Sequence, residues 1–235
     1  MALPKLNTPT YELELPSTGD KIKYRPFLVK EQKILMMAQE GKDEKELNNA
    51  MTALVSDCTF GAVDATNSPM FDVEYIFLRV RGKSVGEKVT LSLICPDDGK
   101  TEVPYELNLE EVNVTMMDNH SNEIKITDDV TINFRYPYMK DMLGLAADEK
   151  ETNKVFHILT TCITSIHYGD DVYNKVDLSD KDINDFVDQL TTEQFEKVME
   201  FFNSMPKIRH TVTFVNPKTQ AMNEVVLEGL ESFLE

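Results

Sequence analysis

LSDKDINDFVDQLTTEQFEKVMEFFNSMPKIRHTVTFV, residues Leu178 to Val215, contains two helix starts, a helix stop and a strand in one run. Ser179 stands three positions before Asp182, and Thr191 three before Gln194. Each pair resembles a capping box, in which a hydroxyl accepts an orphan backbone N–H and the third residue answers with its own side chain. Ile183, Phe186, Val187 and Leu190 follow the first start at the spacing of one helical face, and Phe195, Val198, Met199 and Phe202 follow the second. The second helix also carries Phe201 and Met205, so its apolar surface is too wide for a helix with one solvated side. Pro206 ends it, and His210-Thr-Val212-Thr-Phe214 alternates as a strand does. Such a helix needs cover on both sides, from the rest of the chain or from another chain.

Composition narrows the class. A chain of 235 residues suffices for one large domain or two small ones with a sizeable core. Its 24 basic residues face 41 acidic ones, a formal charge of −17. That excess argues against nucleic acid, whose phosphates require a basic patch, and against an anionic membrane surface. There is no apolar run long enough for a transmembrane helix and no basic-then-apolar start of a signal peptide. Cys58, Cys95 and Cys162 are far apart, which suits a reducing compartment and gives no disulfide framework. A soluble intracellular product is expected.

Tyr11 to Leu15 and Ile22 to Arg25 alternate around a turn holding Gly19, a hairpin pattern. Pro26-Phe27-Leu28 leads into a helix through Glu40, stopped by Gly41. A second helix spans Glu44 to Cys58, and Ser68-Pro69 opens a third that Gly82 ends, with proline at its first position. Lys88–Ile94 pairs with Glu102–Leu109 around Cys95 to Lys100, and Glu123–Ile126 pairs with Val130–Tyr136. Helical spacing returns at Asp148, with Val155, Ile158, Leu159, Cys162 and Ile166 on one face and Phe156 and Ile163 on another; this is expected to be the most buried helix. Hairpins about Gly169-Asp170 and about Asn216 to Gln220 follow. The order predicts an α+β fold of segregated helical layers and antiparallel hairpins. Its sections are 1–86 (hairpin plus helices), 87–136 (strand-rich) and 137–235 (helices plus C-terminal hairpin), within one compact unit.

Chemical motifs are sparse. Tyr168-Gly169-Asp170-Asp171 has the form of a polymerase metal hairpin, but a nucleotidyl transferase would need a further aspartate and a basic template channel. Gly-Asp is also an ordinary turn, and the string reads as one. The acid pairs Asp97-Asp98, Glu110-Glu111, Asp128-Asp129 and Asp170-Asp171 do not fit a calcium loop and read as solvated turns. His120, His157, His167 and His210 have no local ligand partner for zinc. No nucleophile elbow or phosphate-binding glycine loop is present. Met36-Met37, Met116-Met117, and Met199 with Met205 could form an adaptable docking surface; those on helical faces are assigned to the core. Pro26, Phe27 and Leu28, with Leu230, Phe233 and Leu234, lie at element boundaries where a partner can reach, and are the expected interface.

Four strings carry a resemblance. RPFLVKEQK (25–33), LTTEQF (190–195) running to MPKIRH (205–210), LEGLESFL (227–234) and VRGKSVGE (80–87) are similar, in order, to the T-even-like myophage baseplate hub protein family. The resemblance implies a virion or assembly role, other baseplate hub and tail proteins as partners, and no enzymatic activity. It also implies oligomerisation only within the assembly, no nucleic acid or membrane, and a place in the contractile-tail baseplate after assembly in the host cytoplasm. A transient hub-assembly chaperone is the alternative. Some relatives carry cysteine pairs at the two proline-containing turns, resembling zinc knuckles. Here the first turn retains only Cys95 and the second has Asn216 and Lys218, so no metal or other cofactor is expected.

Overall fold

The computed structural model describes residues 6–41, 44–143, 145 and 150–233. The chain runs β1 (Tyr11–Glu14), β2 (Lys21–Tyr24), α1 (Val29–Gly41), α2 (Glu44–Cys58), α3 (Met70–Val85), β3 (Lys88–Ile94), β4 (Glu102–Asn108) and β5 (Asn113–Thr115). It continues through β6 (Glu123–Lys125), β7 (Val130–Phe134), α4 (Met139–Leu143), α5 (Glu151–Cys162), β8 (Ile163–Tyr168), β9 (Asp171–Asn174), α6 (Asp180–Val187) and α7 (Thr192–Ser204). β10 (Lys207–Val215), β11 (Met222–Glu228) and a 3-10 turn over Leu230–Phe233 close it. The class is α+β, with all described strand pairs antiparallel.

Two compact units emerge. Unit 1 comprises the described residues through Thr115 together with those from Lys207 onward, and unit 2 is Met116–Pro206. Unit 2 is thus an insertion between β5 and β10. Those strands pair with Thr115 opposite Lys207, so the chain leaves and re-enters unit 1 at neighbouring strand ends. The section boundaries expected at 86/87 and 136/137 both fall inside a unit.

Unit 1 is built on α3, which buries Phe71, Val73, Ile76, Phe77, Leu78 and Val80. α3, not α5, is therefore the most buried helix. Pro69 stands just before the first turn of α3, and the helix runs through Gly82 to Val85. Gly86, at φ 118°, makes the stop, a backbone region open to glycine and closed to side chains. α5 ends earlier than its apolar spacing predicts. Ile163 and Ile166 belong to β8, where the β-branched run suits a pleated strand, and Ile166 pairs with Ile132 of β7. Val155 and Phe156 of α5 are exposed, while Asp148, the expected helix start, lies outside the described residues.

In unit 2 the sheet order is β6-β7-β8-β9. One row, Ile124, Ile132 and Ile166, crosses three strands on the core side and continues to Tyr173 of β9, which is exposed. Both expected capping boxes form: Ser179 accepts from the Asp182 N–H and Thr191 from the Gln194 N–H, each answered by the third residue's side chain. They set α6 and α7 so that Ile183, Val187, Val198 and Phe201 enter one core with Phe134 and Leu159. The wide apolar surface of α7 is satisfied there: Phe201 is stacked on Phe134 at 5.0 Å and on Tyr136 at 5.9 Å, with Phe202 edge-on at 5.0 Å.

Candidate docking surface

The segment Arg25 to Glu31 fixes how α1 leaves the hairpin. The Arg25 backbone N–H donates to the Cys58 carbonyl at 2.9 Å, closing the segment onto the end of α2. Its guanidinium donates to the Pro26 carbonyl (3.1 Å) and to Glu31 Oε1 (2.9 Å). Glu31 Oε2 accepts the Leu28 N–H at 2.7 Å, so the acid at the third helical position caps the residue before the helix. Burial alone would push the Glu31 carboxyl up; hydrogen bonds from Arg25, Lys30 and the Leu28 N–H outweigh it and hold the group at about 2. The Phe27 N–H donates to Ser84 Oγ of α3 at 2.9 Å.

Unit 2 repeats the construction. After the hairpin β6–β7, the Arg135 N–H donates to the Cys162 carbonyl at 2.8 Å, at the end of α5. The Arg135 guanidinium donates to the Tyr136 carbonyl (2.9 Å) and to both Asp141 oxygens (2.6 and 3.0 Å). Asp141 accepts the Tyr138 N–H at 2.8 Å. In both units arginine and acid stand six residues apart, and the arginine backbone is tied to a buried helix-terminal cysteine. Each unit thus opens with a hairpin, an arginine–carboxylate staple and a helix capped by the stapled acid.

What the first staple positions is unusual. Among the residues of α1 only Glu31 and Ala38 are buried. Val29 is 79% exposed, Ile34 50%, Met36 53% and Met37 60%, so the helix turns its large apolar side chains outward. Met36 and Met37, assigned to the core by sequence, are corrected: α1 meets unit 1 through Ala38 and the stapled Glu31, which leaves the methionines outside. Leu28, beside them, is 41% exposed, Phe27 is half-buried and Pro26 is buried.

The C-terminal residues lie differently. Leu230 and Phe233 are buried, Phe233 completely, so they belong to the core of unit 1 and are not open to a partner. A fully buried phenylalanine five residues beyond β11 anchors the closing turn against its own unit. Leu234 lies outside the described residues. Near this turn, burial pushes the Glu74 carboxyl up to about 7, and the Glu231 carboxylate adds to the rise. The folded value lies above the ordinary 4.5, so the destabilisation is absent below about pH 4.5, grows as pH rises and is complete above about 7. Glu74 is partly covered, and solvent screening reduces the effect. Glu74→Gln is therefore expected to stabilise the fold by about 1 kcal/mol at pH 8 and by little at pH 4.5. Urea unfolding at the two pH values measures it; equal effects at both would remove Glu74 as the source.

The two proline-containing turns meet in unit 1. Asn216 Nδ2 donates to both oxygens of Asp97 (2.9 and 3.2 Å), the Thr219 hydroxyl donates to the same carboxylate, and the Asp97 N–H donates to Asn223 Oδ1 at 3.0 Å. Hydrogen bonds from Asn216 and then Thr219 hold the Asp97 carboxyl below its ordinary range. One thiol beside carboxamides and a hydroxyl is not a zinc donor set. Among the described residues no group of three or more His, Cys, Asp or Glu could hold a metal ion. Tyr168 pairs with Asp171 to close the β8–β9 hairpin, with Gly169 at φ 57°. A recess of about 410 Å³ near α5 and α6 is lined by polar side chains including His157, Lys175 and Asp180. Lys175 Nζ donates to the Thr160 and Thr161 carbonyls at 2.6 and 3.0 Å, so its charge closes the end of α5.

The chain belongs to the T4 bacteriophage base plate protein family, whose model matches residues 8–235. It is similar to the baseplate hub assembly protein gp26 of Enterobacteria phage T4, at 23% identity over 228 residues, covering 96% of this chain and 98% of that protein. No solved structure matches it. Membership supports a baseplate-related role, and the family is not a known enzyme family. Among the described residues no helix is long and apolar enough to cross a membrane.

Proposed function

We propose that the chain is a structural component of the hub region of a contractile-tail phage baseplate and works through protein–protein contacts, without catalysis. One observation carries the reading: α1 is a 13-residue helix that buries only two of its residues and presents Val29, Ile34, Met36 and Met37 outward. Several large apolar side chains exposed on one helix suit an interaction site, and methionine suits one that must adapt to its partner. The Pro26-Phe27-Leu28 segment, held by Arg25, Glu31 and Ser84, forms the fixed end of this surface. Leu230 and Phe233 are buried in unit 1 and lie outside this surface. Other baseplate hub and tail proteins are the partners, and the −17 charge makes nucleic acid and anionic membrane poor ones.

The double variant Ile34→Asp/Met37→Asp tests the surface. Both positions are exposed, so stability is expected to stay within about 0.5 kcal/mol while incorporation into particles is lost. Particles holding the variant at normal stoichiometry would refute the assignment. Cutting the chain after Gly229 is a poor substitute, because it removes the buried Phe233. The second reading is a transient hub-assembly chaperone absent from the finished particle, favoured by the T4 relative being named a hub assembly protein. Mass spectrometry of purified virions separates the two.

A further inference from the structure

The sheet of unit 2 ends on an open strand. β9 pairs only with β8 among the described residues, and all four of its residues are exposed. Alternate residues of an edge strand turn their N–H and C=O groups away from the sheet, where they template a further strand. Proteins commonly blunt such an edge with lysine, proline or a bulge. β9 has none of these within Asp171–Asn174. It carries Val172 and Tyr173 instead, both exposed, between the exposed Tyr168 and Val176.

The surrounding charge selects the occupant. The strand and the residues flanking it, 170–177, contain three aspartates (Asp170, Asp171 and Asp177) and one lysine. Lys175 is bound to the carbonyls that end α5, so its charge is not turned toward the edge. A second copy laid against β9 would bring a second set of aspartates to the same edge, an arrangement that like-charge repulsion opposes. An extended segment bearing lysine or arginine would instead find opposite charge beside the edge and, on the face of the sheet that carries it, an apolar anchor at Val172.

We propose that the open side of β9 accepts an extended basic segment of a partner protein, added as a fifth strand with apolar and cationic side chains alternating. The inference does not rest on the docking role given to α1. It is tested with the full chain and two six-residue peptides, one alternating valine with lysine and one alternating valine with glutamate, reading amide hydrogen exchange residue by residue. The lysine peptide is expected to slow exchange at β9 saturably, by about threefold at a concentration twice its Kd. The glutamate peptide is expected to have no effect. Val172→Lys, a substitution at an exposed position, is expected to abolish the protection, and Asp170→Asn/Asp177→Asn to weaken it. Equal protection by both peptides would overturn the basic partner. Protection confined to the aspartate-rich helices, or none at all, would overturn strand addition. Protection that grows with protein concentration in the absence of peptide would assign the edge to a second copy and overturn the proposal.

Discussion

Glu31→Ala is expected to destabilise unit 1 by about 3–5 kcal/mol, the cost of leaving one member of a covered ion pair without its partner. The Glu31 side chain is 3% exposed and that of Arg25 12%, so water cannot readily replace the lost carboxylate. The same substitution removes the cap on the Leu28 N–H and with it the defined start of α1. Urea unfolding followed by circular dichroism measures the loss, and the double replacement Arg25→Met/Glu31→Leu is expected to recover much of it by substituting packing for charge. A loss below about 1 kcal/mol would show that the staple is not what holds the segment. The pH dependence has a definite sign. The folded carboxyl titrates at about 2, below its ordinary 4.5, so its contribution is complete above about pH 4.5 and disappears as pH falls through 2.

Phe201→Ala is expected to cost unit 2 about 3–5 kcal/mol, through lost burial and the cavity left behind. Phe201 is among the largest fully buried side chains, and its ring is shared by Phe134, Tyr136, Phe202 and His120. His120 is held in place by hydrogen-bonding contacts with Ser204 (2.9 Å) and Asn122 (3.0 Å), so it cannot swing into the void without losing them. Phe202, on the same helix but only partly buried, is the control: its alanine variant is expected to cost less than half as much. The exchange rates of β7 and β8 amides, which border this core, report the difference. Equal costs at the two positions would displace Phe201 from the centre of the stack.

Local chemistry made much of this fold legible. Ser179 with Asp182 and Thr191 with Gln194 define their helix starts with no reference to the rest of the chain, and Gly19 and Gly169 mark their hairpins for the same reason. What failed was anything decided at a distance. The apolar spacing of α5 continues past Cys162, but pairing with β7 turns Ile163–Tyr168 into a strand. β5 is three residues long and exists through its pairing with β10, more than ninety positions away. The outward α1 was hidden because Met36 and Met37 read equally well as core, and Phe233 read as surface because it lies at an element boundary. The duplicated staple was present in the letters as Arg25 with Glu31 and Arg135 with Asp141, but such a pair acquires meaning only when both backbones are seen to close on a cysteine carbonyl. The acidic turn at Asp97 likewise read as solvated until Asn216 and Thr219, on a remote hairpin, were seen to bind it.

The neighbouring exit and entry at Thr115 and Lys207 make unit 2 a cassette. Antiparallel strand ends that lie side by side can be bridged by a turn of as few as about two residues. Evolution could therefore trim, exchange or enlarge everything from Met116 to Pro206 while the β5–β10–β11 sheet of the host unit kept its register. An insertion seated this way lets one unit vary in sequence and size without disturbing the strand pairing of the other.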